Sequence, residues 1–176
     1  MPVRRALLIL DMQVGLFHGP EQPWQGDRIL ANINRLIGTA RAARAPIFVA
    51  RHTGPQGSPI EAGSTPWQLL PALEVDEQYD RVFDKFRPSA FWNTPLREWL
   101  QQAGVEELVV VGMKTQYCVD TNCRVAAELG VRPVLVSDAH TCMDTPGLGA
   151  EAIVAHHNLT LGSGFATLCV TEAVQF

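Results

Sequence analysis

Leu108-Val-Val-Val-Gly112-Met-Lys-Thr-Gln-Tyr-Cys118-Val-Asp-Thr121 passes from a strand pattern to a helix pattern within one short segment. The apolar, β-branched run Leu108–Val111 ends at Gly112, and a short polar turn follows. Cys118 then opens an amphipathic helical pattern that reaches Leu129 and is closed by Gly130. A thiol at a helix start faces unpaired N–H groups and the positive end of the dipole, both of which favour thiolate. The end of a strand and the start of the next helix is also where open α/β sheets bind ligands.

The same alternation extends in both directions. Ala6–Leu10, Pro46–Ala50, Arg81–Phe83, Pro133–Ser137 and Leu168–Val170 read as strands. Asp27–Arg44 carries a helical face of Ile29, Leu30, Ile33, Leu36, Ile37 and Ala40, and Ala150–His157 reads as a last helix. Thr94 reads as an N-cap with Pro95 at the first helical position, and Gly104 ends that helix. Thr53–Pro66 is a long loop rich in Gly, Pro and Ser. Strands alternating with helices predict an α/β fold with a mainly parallel sheet covered on both faces. The chain has 176 residues and shows no internal repeat or linker, so a single domain over residues 1–176 is expected.

Composition narrows the function. The formal net charge is −4 with no basic run, which argues against a nucleic-acid partner. No apolar stretch approaches the roughly 20 residues of a membrane helix. The run Ala6–Leu10 stops at Asp11 without a cleavage-site pattern, so it reads as a strand rather than a signal peptide. The four cysteines (118, 123, 142, 169) form no disulfide-dense or CxxC pattern, which predicts a reducing, cytoplasmic location.

Three polar side chains stand behind apolar runs: Asp11 after Leu7–Leu10, Lys85 after Arg81–Asp84, and Cys118 after the 108–112 run. Parallel strands share one C-terminal edge, so a carboxylate, an ammonium and a thiol can meet there. A carboxylate can take the thiol proton and later hand it to a leaving amine. An ammonium between them favours thiolate, whereas the carboxylate opposes it. Two influences for thiolate against one predict an activated Cys118. Backbone N–H groups before Cys118 can hold an oxyanion.

With these pieces assembled, the chain resembles the isochorismatase-like cysteine hydrolases, the superfamily that includes nicotinamidases and N-carbamoylsarcosine amidases. The resemblance rests on Leu8-Ile-Leu-Asp11-Met-Gln-Val-Gly-Leu-Phe17, Asp84-Lys85-Phe-Arg-Pro-Ser-Ala-Phe-Trp92-Asn-Thr94, Val111–Thr121 and Ser137-Asp-Ala-His-Thr141, in that order along nearly the whole length. It implies a Rossmann-like three-layer α/β/α fold and a catalytic triad of Asp11, Lys85 and Cys118. It also implies a cis peptide between Met113 and Lys114 that aims the N–H groups of Lys114 and Cys118 at a substrate oxygen. Family members are commonly dimers or larger, which implies a homo-oligomer.

Departures from the family refine the expectation. Where nicotinamidases carry an Asp-x-His metal motif, this chain has Arg51-His52-Thr53, and the following loop holds no further His. One histidine does not make a metal site, so neither a catalytic metal nor any cofactor is expected. Isochorismatases proper lack the nucleophilic cysteine, so Cys118 points to cleavage of a C–N bond in a small molecule. Hydrolysis of an ester or carbamoyl group, or a non-hydrolytic thiol sensor, are the alternatives. Gln13, Phe17, His52 and Tyr117 are candidate substrate contacts. Cys123, Cys142 and Cys169 read as small hydrophobes, and His156 and His157 as residues of a surface helix.

Overall fold

Strands Arg5–Leu10 (β1), Ile47–His52 (β2), Arg81–Lys85 (β3), Glu107–Met113 (β4), Arg132–Thr141 (β5) and Thr167–Cys169 (β6) form one sheet. In the computed structural model, which describes residues 3–176, they lie in the order β3-β2-β1-β4-β5-β6 and all pair in parallel. The helices are Val14–Phe17 (α1), Gly26–Ala42 (α2), Leu96–Gln102 (α3), Asp120–Glu128 (α4) and Ala150–Gly164 (α5).

The central strands β1 and β4 carry continuous apolar runs, Ala6–Leu10 and Leu108–Val111, because both faces of the sheet are covered. Leu7, Ile9, Val109, Val111, Val134 and Val136 turn to one side, where Ile29, Ile33, Leu36, Ile37 and Ala40 of α2 meet them. Ala6, Leu8, Leu10, Leu108, Val110 and Leu135 turn to the other, against Leu96 and Leu100 of α3 and Cys123 and Ala126 of α4. The three layers expected from the sequence are therefore present. Among the described residues no helix is long and apolar enough to cross a membrane.

The chain runs outward from β1 through β2 to β3, then crosses back to β4 and leaves in the opposite direction through β5 to β6. The order reverses between β1 and β4, which makes the crevice beyond their C-terminal ends the expected ligand position for such a sheet. Gly112 sits at this crevice with φ of 114°. A Cβ there would lie 2.1 Å from the carbonyl oxygen of Leu10, so only glycine lets the two central strands approach this closely.

Four strands outrun their sequence-based bounds at the functional edge: β2 continues to His52, β3 to Lys85, β4 to Met113 and β5 to Thr141. α5 is also longer than expected and runs to Gly164, just before β6. The expected helix start at Cys118 is corrected: a π-helical turn, Thr115–Val119, precedes and runs into α4. α3 starts at Leu96, one residue after the expected Pro95; Thr94 Oγ1 accepts from Leu96 N–H at 3.4 Å, as an N-cap side chain does, while its hydroxyl donates to the Ala90 carbonyl. The 53–66 loop is closed by Trp67, whose Nε1 donates to Thr53 Oγ1 at 2.8 Å.

Candidate active site

Three elements deliver three side chains to the crevice. β1 ends at Leu10, and the chain turns at Asp11 with φ of 55°. Asp enters this left-handed region more readily than most residues, and here the carboxylate ends up 1% exposed. Lys85 is the last residue of β3 and is fully buried. Cys118 lies in the π-helical turn beyond β4, 7% exposed.

The Lys85 ammonium stands at the centre. Its Nζ lies 3.0 Å from Asp11 Oδ2, 3.2 Å from Cys118 Sγ, 3.0 Å from His52 Nδ1 and 3.1 Å from the Arg87 carbonyl. The carboxylate and thiol thus share one cation. Asp11 Oδ1 is buried and accepts no hydrogen bond among the described residues. A buried acceptor left open is costly unless something supplies a proton. The thiol hydrogen, or a leaving amine, can fill that role.

The expected acidity of Cys118 is corrected. Burial pushes the thiol up to about 12, and Asp11 adds to the rise; Lys85 pulls it down without winning. Burial is the largest influence, and it cannot be weighed from sequence spacing. The thiol is therefore the resting form at neutral pH, and a proton acceptor at the sulfur is needed to make the nucleophile. Cys123 is pushed up to about 12 by burial as well.

Asp11, His52 and Cys118 offer ligand atoms within 4.8 Å of one another, a grouping that could hold a metal ion. The middle of the group is already taken by a cation, because Lys85 Nζ contacts all three residues. A divalent ion would enter only by displacing or deprotonating a fully buried ammonium.

The remaining candidates divide. The peptide between Met113 and Lys114 is cis, and Lys114 follows it at the mouth of the turn. Tyr117, next to Cys118 in the chain, is 56% exposed. Gln13 is wholly buried and committed within the chain. Its Nε2 donates to the carbonyls of His52 and Trp67, and its Oε1 accepts from His52 N–H. Both amide hydrogens are used, so Gln13 fixes the end of β2 rather than offering donors to a substrate. Phe17 packs into the core with α2 instead of lining the crevice. His156 is exposed and His157 half-buried on α5, away from these contacts.

Two networks had no place in the sequence reading. Asn122 is buried one turn beyond Cys118. Its amide donates to the Cys118 and Pro88 carbonyls and accepts from Ala90 N–H. It thereby ties the loop after Lys85 to the helix that carries the thiol. A buried Asn between Val119, Cys123 and Ala126 was the available signal, since Asn is a poor interior helix residue. The second network starts at Thr115 Oγ1, 2.9 Å from His140 Nδ1. His140 Nε2 lies 2.9 Å from Asn158 Oδ1. Burial pushes His140 down to about 4, so the ring is neutral. Asn158 Oδ1 only accepts; His140 therefore carries its hydrogen on Nε2 and accepts from Thr115, anchoring the π-helical turn to α5.

Comparison with known proteins agrees with this fold. The isochorismatase domain matches residues 5–160. A streptothricin hydrolase from Streptomyces noursei is 36% identical over 143 residues, covering 81% of this chain and 56% of that protein. The chain spans about half the length of the curated streptothricin hydrolases it matches. Nicotinamidase 3 from Arabidopsis thaliana is 32% identical over 149 residues, 76% of this chain and 71% of that protein. The crystal structure of an isochorismatase from Pseudomonas putida KT2440 superposes with a TM-score of 0.88 at 31% identity, covering 98% of this chain and 92% of that one. With the sheet, the crevice and the aligned stretch in agreement, the chain belongs to the isochorismatase family of hydrolases.

Proposed function

We propose that the chain is a cysteine hydrolase that cleaves an amide-type C–N bond of a small molecule through a thioester on Cys118. The supporting observation is the Lys85 ammonium within 3.0 Å of the Asp11 carboxylate and 3.2 Å of the Cys118 sulfur. A streptothricin hydrolase and a nicotinamidase among its relatives favour the same chemistry.

Asp11 accepts the Cys118 proton as the sulfur attacks the carbonyl carbon. The Sγ–C bond forms and the carbonyl π electrons move to oxygen, held by the N–H groups of Lys114 and Cys118. As the carbonyl re-forms, the C–N bond breaks and protonated Asp11 gives its proton to the leaving nitrogen. Water then enters; Asp11 takes its proton while its oxygen attacks the thioester. The carbonyl re-forms, the Sγ–C bond breaks to release the acid, and protonated Asp11 returns its proton to the sulfur. Lys85 offsets the negative charge that moves between Asp11 and Cys118 without changing its own protonation.

Intact-mass measurement during turnover of slow amide and activated-ester substrates tests this reading. An acyl adduct on Cys118 that disappears with release of the acid is expected. Reversible oxidation of Cys118 with no acyl adduct from any substrate would favour the thiol-sensor alternative. A faster-turned-over ester or carbamoyl series would move the assignment to those bonds.

The proposal includes a homo-oligomer in a reducing, cytoplasmic setting. Phe86, Trp92 and Tyr117 are 58%, 48% and 56% exposed on the segments that carry the site, and exposed aromatics of this kind are typical of covered surfaces. All four cysteines are free. Light scattering at micromolar concentration is expected to give at least a dimer; a monomer would refute it.

A further inference from the structure

An ammonium has three N–H groups and no lone pair. Lys85 is fully buried, so each of those hydrogens needs an acceptor from the chain. Asp11 Oδ2 and the Arg87 carbonyl provide two. The third strong acceptor is His52 Nδ1 at 3.0 Å, since a thiol sulfur accepts weakly.

A ring nitrogen can accept only when it carries no proton. His52 is therefore the neutral tautomer with its hydrogen on Nε2. Its surroundings agree. Burial is the largest influence lowering its pKa, the Lys85 ammonium lowers it further, and Asp11 opposes both. Gln13 holds the backbone of His52 through N–H and C=O together, at 2.8 and 3.0 Å. The imidazole is thus fixed at its root by a buried amide and at Nδ1 by the ammonium.

We infer that His52 is a positioning residue: a proton-free imidazole that, seated by Gln13, fixes the orientation of the Lys85 ammonium between Asp11 and Cys118. The inference rests on the proposed role of Lys85 in catalysis. His52 here acts through Lys85 rather than as a ligand for metal or as a substrate contact. Its neighbour Cys118 shares the same ammonium. When the thiol gives up its proton, the N–H held by His52 lies close enough to turn to the sulfur.

The sequence offers a direct probe, because Lys85 and Lys114 are the only lysines. Protein labelled with 15N-lysine is examined for ammonium signals that exchange slowly with water. Lys85 is expected to give one in the wild type. His52→Asn places an amide oxygen near the Nδ1 position and is expected to keep it. His52→Gln places its polar end near Nε2, and His52→Ala has none; both are expected to lose the signal to exchange.

Turnover of an amide substrate should follow the same order. A fall in kcat of at least about tenfold for His52→Gln and His52→Ala, with KM changed less than about threefold, is expected for a residue that positions the catalytic groups. A role confined to folding would lower the Tm of the variants without separating Asn from Gln. A Lys85 signal that stays slow in His52→Ala, or equal turnover in all three variants, would overturn the inference. If no variant and no wild-type protein hydrolyses any amide, the amidase reading fails while the ammonium signal still decides the role of His52.

Discussion

Cys118→Ala, Asp11→Asn and Lys85→Met are each expected to lower turnover on the order of 10^3-fold or more, and pairs of them little further than the worst single change. The reason is that all three serve one proton and one charge. The thiol rests protonated, pushed up to about 12, so without Asp11 it loses the carboxylate that takes its hydrogen. Without Lys85 the charge that moves between carboxylate and sulfur has no fixed counter-ion. Stability is expected to behave differently from activity. Lys85→Met leaves Asp11 Oδ2 buried without its cation, a loss of about 3–5 kcal/mol. The Asp11→Asn/Lys85→Met double variant removes the uncompensated charge and is expected to be more stable than Lys85→Met alone. Steady-state kinetics and urea unfolding on the same four proteins check both parts. Near wild-type turnover in Lys85→Met would break the triad assignment.

That coupling also shows which parts of the site could be read from one dimension. Asp11, Lys85 and Cys118 each follow an apolar run, and parallel strands place such positions on one edge. Their meeting was therefore legible before any contact was known. The direction of the Cys118 shift was not. Spacing displays the helix start and the charges, but burial is the largest influence and belongs to the folded chain. Gln13 failed as a candidate contact for a related reason. Its position near Asp11 is visible, whereas its partners at 52 and 67 come from β2 and the loop beyond it. Phe17 is near Asp11 in sequence yet turns into the α2 side of the core. Asn122 reaches Ala90 and Pro88 across 32 and 34 residues, and His140 reaches Asn158 and Thr115 across 18 and 25; the pattern around each residue does not name such partners. The π-helical turn was missed because the helical pattern begins at Cys118, while the helical backbone begins at Thr115.

Gly112→Ala is expected to cost about 4 kcal/mol or more, at the upper end for a single substitution. The position forbids a side chain twice over. Its φ of 114° is a conformation that residues with a Cβ rarely adopt. The added carbon would also sit 2.1 Å from Leu10 O and 2.7 Å from Leu10 N. Those are main-chain atoms of β1 paired with Gly112, so no side chain can swing aside to make room. Relief requires β1 and β4 to part at the crevice where Asp11 and the Cys118 turn begin. A fall in Tm of roughly 10 °C or more is expected for a domain of this size. Gly38→Ala gives the opposing control. Gly38 lies on the exposed face of α2, one turn before its end at Ala42, where a Cβ meets nothing within 4 Å. Removing a glycine from a helix interior is expected to stabilise by about 0.5–1 kcal/mol. Calorimetry on the two variants separates loss of a required backbone conformation from a general response to added methyl groups. If Gly112→Ala melts with the wild type, β1 and β4 do not approach as closely as this crevice requires, and the geometry that brings Asp11 to Cys118 must be reconsidered.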